Sequence, residues 1–228
     1  MKQEKSFRLK ALLSILCNLL IVILTYVNVS TFFHRVGDGN MQVVGTYCFQ
    51  YFTVDSNILS ALTALLLVCV QIVALVRKQD LLPQWAVLCK YVGTVTVALT
   101  FLTVVFFLGP TQGFLRMFSG NAFYLHLIGP LLAIGSLLFL EKGEKPITRK
   151  QTLFALAPIF LYACVYLTMV VIVGWENGVW FDFYGFNRDG HWYLSFVAML
   201  IAGWALCMLL RCLYNRVQFG KKKQEERA

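Results

Sequence analysis

Six stretches of this chain are apolar for close to a bilayer's thickness, and that pattern decides what the chain can fold into. They cover residues 12–33, 44–76, 87–108, 122–140, 153–174 and 192–213. A helix needs about 20 apolar residues to cross the hydrocarbon of a membrane. Lipid offers no partner to an open backbone N–H or C=O, so each block must be helical. The composition agrees: of 228 residues, 59% are hydrophobic and only 14% charged, and 19 are Phe. A soluble globule of this size has too much surface to hide so much apolar area, and a disordered chain is far more polar. The expected fold is an all-α membrane protein: one domain, residues 1–228, forming a six-transmembrane-helix bundle. Connections of about 8 to 17 residues suit antiparallel neighbours.

Lys and Arg set the orientation. Seventeen of the 20 fall at the N-terminal arm (Lys2 to Lys10), the second connection (Arg77, Lys78 and Lys90), the fourth (Lys142 to Lys150) and the C-terminal end, which is Arg211 with the basic tail, residues 214–228. Only Arg35, Arg116 and Arg188 lie on the other side. Both termini are therefore expected in the cytoplasm, with the protein in the cell membrane and the first block kept as a signal anchor. In a soluble protein the net charge of +9 would suggest nucleic acid. Here the charges flank apolar blocks, so they are expected to set orientation beside membrane lipid and not to bind nucleic acid. Seven Cys without metal-type spacing read as small buried residues, and three scattered His form no metal box. No metal or cofactor is expected.

Polar groups inside a span are costly and need a reason. The second block carries Gln50, Thr53, Asp55, Ser56, Asn57 and Ser60. On a continuous helix Gln50, Thr53, Asn57 and Ser60 share about one quadrant, while Asp55 points about 140° from Gln50. Thr and Ser often only bond back to their own helix, and small polar residues also serve as interhelical glue. A cluster this dense weighs equally toward a site. The fourth block carries His126, the one histidine within a span, four residues before Pro130. Pro130 cannot donate to the carbonyl of residue 126, so a kink is expected there, with that carbonyl freed. A Thr hydroxyl becomes a nucleophile when a base takes its proton, and neutral imidazole is such a base. Thr53 and His126 together suit acyl transfer if the second and fourth helices meet. A loop from Trp175 to Trp192 holds Glu176, Asp182, Asp189 and His191 among aromatic residues. It reads first as an interfacial aromatic belt, and otherwise as a lid whose Asp182 contacts substrate.

Phe52-Thr53 followed by Ser56-Asn57-Ile58-Leu59, together with Leu125-His126 and Pro130-Leu131-Leu132, resembles the two polar cores of the androgen-induced-gene family in its bacterial six-span branch. The resemblance spans nearly the whole chain. It implies an intramembrane threonine hydrolase of fatty acid esters of hydroxy fatty acids or related lipid-like esters, with Thr53 as nucleophile and His126 as base. Asn57 is the expected oxyanion donor, with Gln50, Asp55, Ser56 and Asp182 as further substrate contacts. The alternative is a small-molecule or proton-coupled transporter or sensor centred on Asp55.

Overall fold

The computed structural model describes residues 2–34, 45–174, 180–187 and 190–220. Among them six helices are long and apolar enough to cross a membrane, and no strand forms. They are α1 (Lys2–His34), α2 (Phe52–Arg77), α3 (Gln84–Gln112), α4 (Gly120–Phe139), α5 (Thr152–Ile172) and α6 (Trp192–Phe219). The protein is an all-α six-helix bundle of the multi-pass membrane type.

α3 is the central helix. Its most apolar window is 61% buried in the bundle, against 22–39% for the others. It packs on α2, α4, α5 and α6, while α1 lies against α2 and α4. The main core joins Leu67, Val87, Tyr91, Val95, Leu137, Ile159 and Leu206 from five helices. Gly93 lets α2 and α3 come together: a Cβ there would lie 3.0 Å from the Ser60 Cα and would run into the Thr63 hydroxyl. Such small-residue contacts give membrane helices the close packing that lipid does not supply. α2 ends where Lys78 turns left-handed at φ 53° and the Gln79 N–H closes back on the Ala74 carbonyl at 2.9 Å. This is a Schellman-type stop built without glycine.

The end of the bundle where α2 stops holds a buried polar knot. Glu141, just past α4, accepts on Oε1 from the Ser14 hydroxyl (3.2 Å) and the Asn18 amide (2.7 Å) of α1. Lys90 of α3 faces this carboxylate electrostatically. Lys90 and Glu141 are both 0% exposed, and neither the Lys90 Nζ nor the second Glu141 oxygen has a hydrogen-bond partner among the described residues. The sequence reading placed Lys90 with the loop cations. It lies instead in the interior of α3, whose burial is greatest, and faces Glu141.

Two boundaries also differ from expectation. The second span starts at Phe52 and not at residue 44, because residues 45–50 form a separate 3-10 turn. The sixth runs to Phe219, so the segment expected as tail from residue 214 begins as helix. All seven cysteines are free thiols; Cys48 and Cys207 are buried, but Cys69 and Cys212 are exposed and do not pack inside as expected.

Candidate functional site

The site forms where the first turn of α2 meets a distorted turn of α4. Tyr51 is extended (φ −98°, ψ 120°), and α2 begins immediately after it. The Phe52 N–H, which no earlier helical carbonyl can satisfy, donates to the hydroxyls of Tyr162 and Tyr184, each at 3.1 Å. Tyr162 in turn donates to the Gln50 carbonyl at 2.6 Å. Two tyrosines from distant parts of the chain thus cap α2 and set Thr53 in its first turn.

In α4 the helix widens to a π turn over Tyr124–Ile128, and the Gly129 N–H bonds the Tyr124 carbonyl. In that register the next carbonyl, on Leu125, would need the N–H of residue 130, which is a proline. Leu125 is therefore a carbonyl left open, one residue before the His126 carbonyl to which the α-helical register pointed. Asn57 fills the opening: its amide donates to the Leu125 carbonyl at 3.0 Å and to the Thr53 carbonyl at 2.8 Å. Gly129 makes room, since a Cβ there would lie 3.1 Å from the Asn57 Oδ1. Asn57 carries two amide hydrogens, and both are now occupied. It is a strut between α2 and α4, with no N–H left to offer an oxyanion.

This strut brings Thr53 and His126 face to face. The Thr53 Oγ1 lies 3.3 Å from the His126 Nε2, and the His126 Nδ1 lies 2.7 Å from the Met117 carbonyl. A carbonyl only accepts, so Nδ1 carries the proton and Nε2 presents its lone pair to Thr53. The ring is fixed in the tautomer that a general base requires. At 3.3 Å the contact lies at the long end of hydrogen-bond distances. Tyr184 stands one residue away, its hydroxyl at the Phe52 N–H. Burial pushes the Tyr184 phenol well above its ordinary range, so it keeps its proton.

The other expected contacts are distributed differently. Ser56 lies beside Thr53 but turns to α3, 2.8 Å from the Thr100 hydroxyl, and it donates to the Thr53 carbonyl at 3.2 Å. Gln50 is buried with an unpartnered Oε1, but it belongs to the 3-10 turn, so it shares no helical face with Thr53. Asp55 is half-buried in the first turn of α2, and its charge acts on Cys48, whose thiol is pushed up to about 11 by burial first and by Asp55 second. Asp182 accepts from the Tyr166 hydroxyl (3.0 Å) and from the N–H groups of Phe186 (2.7 Å) and Asn187 (2.8 Å). Its carboxylate folds the loop onto α5, which makes it a loop organiser. His191 is exposed, and Glu176 and Asp189 lie outside the described residues.

The sequence reading missed Tyr162, Tyr184 and the Met117 carbonyl. Tyr184 stood in the aromatic loop, 132 residues from Phe52, and no spacing announces that contact. Among the described residues no cluster of three His, Cys, Asp or Glu side chains could hold a metal ion. Compared with family models, with characterised proteins and with solved structures, the chain matches none.

Proposed function

We propose that this protein is an intramembrane hydrolase of lipid-like carboxylic esters. The observation that carries the reading is the Thr53–His126 pair: a hydroxyl 3.3 Å from an imidazole nitrogen whose partner nitrogen is anchored to a carbonyl. Nucleophile, base and orienting acceptor are the parts of an acyl-transfer site. His126 takes the Thr53 proton as Thr53 attacks the ester carbonyl. The protonated His126 then gives that proton to the departing alcohol, leaving an acyl-threonine. Water, deprotonated by His126, releases the fatty acid and restores Thr53. The substrate class follows from the setting, since an apolar bundle favours an ester with long acyl chains. Fatty acid esters of hydroxy fatty acids, suggested by the family resemblance, are the first candidates.

The same proposal places the protein in the cell membrane with both termini cytoplasmic, on the distribution of Lys and Arg. The Thr53 end then lies toward the outer face. One observation favours the second reading, a transporter or sensor: Asp55 is a half-buried acid within a span and makes no side-chain hydrogen bond to the described residues.

The test uses the full chain in detergent or nanodiscs, with a lipophilic ester and a fluorophosphonate probe. Thr53→Ala should abolish cleavage and labelling, Thr53→Ser should keep part of both, and His126→Ala should be as crippled as Thr53→Ala because the pair acts as a unit. Asp55→Asn should lose less. If Thr53→Ala labels and cleaves like the parent while Asp55→Asn is inactive, the hydrolase gives way to the Asp55 reading.

A further inference from the structure

Asn18 Oδ1, Gln71 Oε1, Lys90 Nζ and Glu141 Oε2 are buried without a hydrogen-bond partner among the described residues. Their residues are 0–3% exposed. They belong to α1, α2, α3 and the end of α4, and the packing brings them to one level. Ile21, Ala64, Val97 and Ala133 touch in a single cluster, one residue from each of these helices. Seven residues make almost two full turns, about 10.5 Å of helix, and return a side chain to the same face. Seven residues from the cluster toward the end where α2 stops, the chain places Ser14 on α1, Gln71 on α2 and Lys90 on α3. Glu141 joins this level through its bond from the Ser14 hydroxyl at 3.2 Å. Asn18, one turn nearer the cluster, is tied to the same carboxylate at 2.7 Å.

The partners constrain what can satisfy this layer. The Asn18 amide donates to the Ser14 carbonyl (2.8 Å) and to Glu141 Oε1 (2.7 Å), so its Oδ1 offers lone pairs only. Glu141 Oε2 also only accepts, while the Lys90 ammonium only donates, and the two do not bond each other. The ligand must therefore accept on one side and donate on the other. It must be neutral, because Lys90 and Glu141 balance and a further ion would leave a net charge inside an apolar bundle. It must be small, because every residue of the layer is almost fully buried. Water meets all three conditions. We propose that Ser14, Asn18, Gln71, Lys90 and Glu141 form a water-binding site, in which bound water bridges the Lys90 Nζ to Glu141 Oε2 and Asn18 Oδ1 and holds the ion pair apart. The site shares no residue with Thr53 and His126 and does not rest on the hydrolase reading.

The bonds close consistently. One ammonium hydrogen goes to the water oxygen. The water gives one hydrogen to Glu141 Oε2 and the other to Asn18 Oδ1, which makes the three bonds typical of a buried water. A second ammonium hydrogen serves the Gln71 amide on α2 through a further water in the same layer. Each water is then an interhelical link, joining α3 to α1 and α4 in one case and α3 to α2 in the other. A dry layer would bring Lys90 onto Glu141 and still leave the Asn18 oxygen without a donor, a costly state away from solvent.

Water-edited solid-state NMR on the full chain in proteoliposomes tests this, with lysine labelled in 15N and alanine and glutamate in 13C. The Lys90 Nζ signal is the one lost in Lys90→Arg. If that variant does not fold, through-bond correlation to the Lys90 backbone assigns the signal in the parent. The Lys90 Nζ and the Glu141 carboxyl carbon should take up magnetisation from water nearly as fast as the exposed Lys145 Nζ, although both residues are 0% exposed. The methyl groups of Ala64 and Ala133, two turns away in the apolar cluster, should stay dark. If Lys145 responds while Lys90 and Glu141 stay dark, the layer is dry and the proposal fails. If Ala64 and Ala133 respond as fast as Lys90, water is spread through the bundle and no site exists at this level.

Discussion

Asn57 illustrates how little a polar side chain in a membrane helix reveals until its partners are known. Its place one turn from Thr53 was legible in the sequence, and so was the pairing of Thr53 with His126, because few residue types do that chemistry. Its role was not. That depended on which carbonyl the fourth helix leaves open, and the open carbonyl is set by a π register that sequence does not display. The strut makes its own prediction. Asn57→Leu leaves the buried Leu125 carbonyl without a donor, at a cost of about 1–3 kcal/mol. Asn57→Asp keeps the shape but sets a carboxylate against two carbonyls, so it should melt no higher than Asn57→Leu. Thermal unfolding of both in detergent checks this; unchanged melting in both would remove Asn57 as a strut. Asp182 is a similar case: its type suggested a substrate contact, and its partners add a second role, three hydrogen bonds within the loop and to α5.

Among the elements, α4 was legible as a helix that Pro130 disturbs, because proline cannot donate, but its widened turn was not. The turn matters, since an extra residue in it rotates what precedes it by about 100°. That rotation presents His126 to α2. Pro130→Ala returns an N–H at position 130, giving the π turn a donor and the straight helix a chance to form. We expect this variant to melt at or above the parental temperature and yet to hydrolyse ester far more slowly. Parental turnover together with higher stability would show that the proline does not set the ring's position. The start of α2 was out by several residues for a related reason. Residues 45–50 are apolar enough to continue the helix, but Tyr162 takes the Gln50 carbonyl and turns the chain at Tyr51.

At the scale of the molecule, six helices in one bundle could be read directly, since only such a structure satisfies the backbone in lipid. The order of packing could not, because apolar residues face lipid and core alike; α3 holds the centre for reasons of shape at Gly93 and its neighbours. The proposed orientation stands even with Lys90 withdrawn from the loop charges. An impermeant thiol reagent added outside intact cells should label a cysteine introduced at Gly37 and leave one at Glu225 unlabelled. The opposite pattern would invert the molecule and carry the Thr53 end to the other face.

The knot of Ser14, Asn18, Lys90 and Glu141 also bears on how the chain is made. Ser14 and Glu141 are 127 residues apart, so the first three helices leave the ribosome before their acidic partner exists. Until α4 arrives, Lys90 and Asn18 have no Glu141 to face in the bilayer, where an unmatched charge is costly. The bundle can close at that end only once synthesis has passed residue 141. A chain stopped after Phe139 should stay open there and be degraded quickly, and Glu141→Leu in the full chain should shorten its lifetime in a pulse-chase. By this account the knot is a checkpoint for completeness, written into the order of translation.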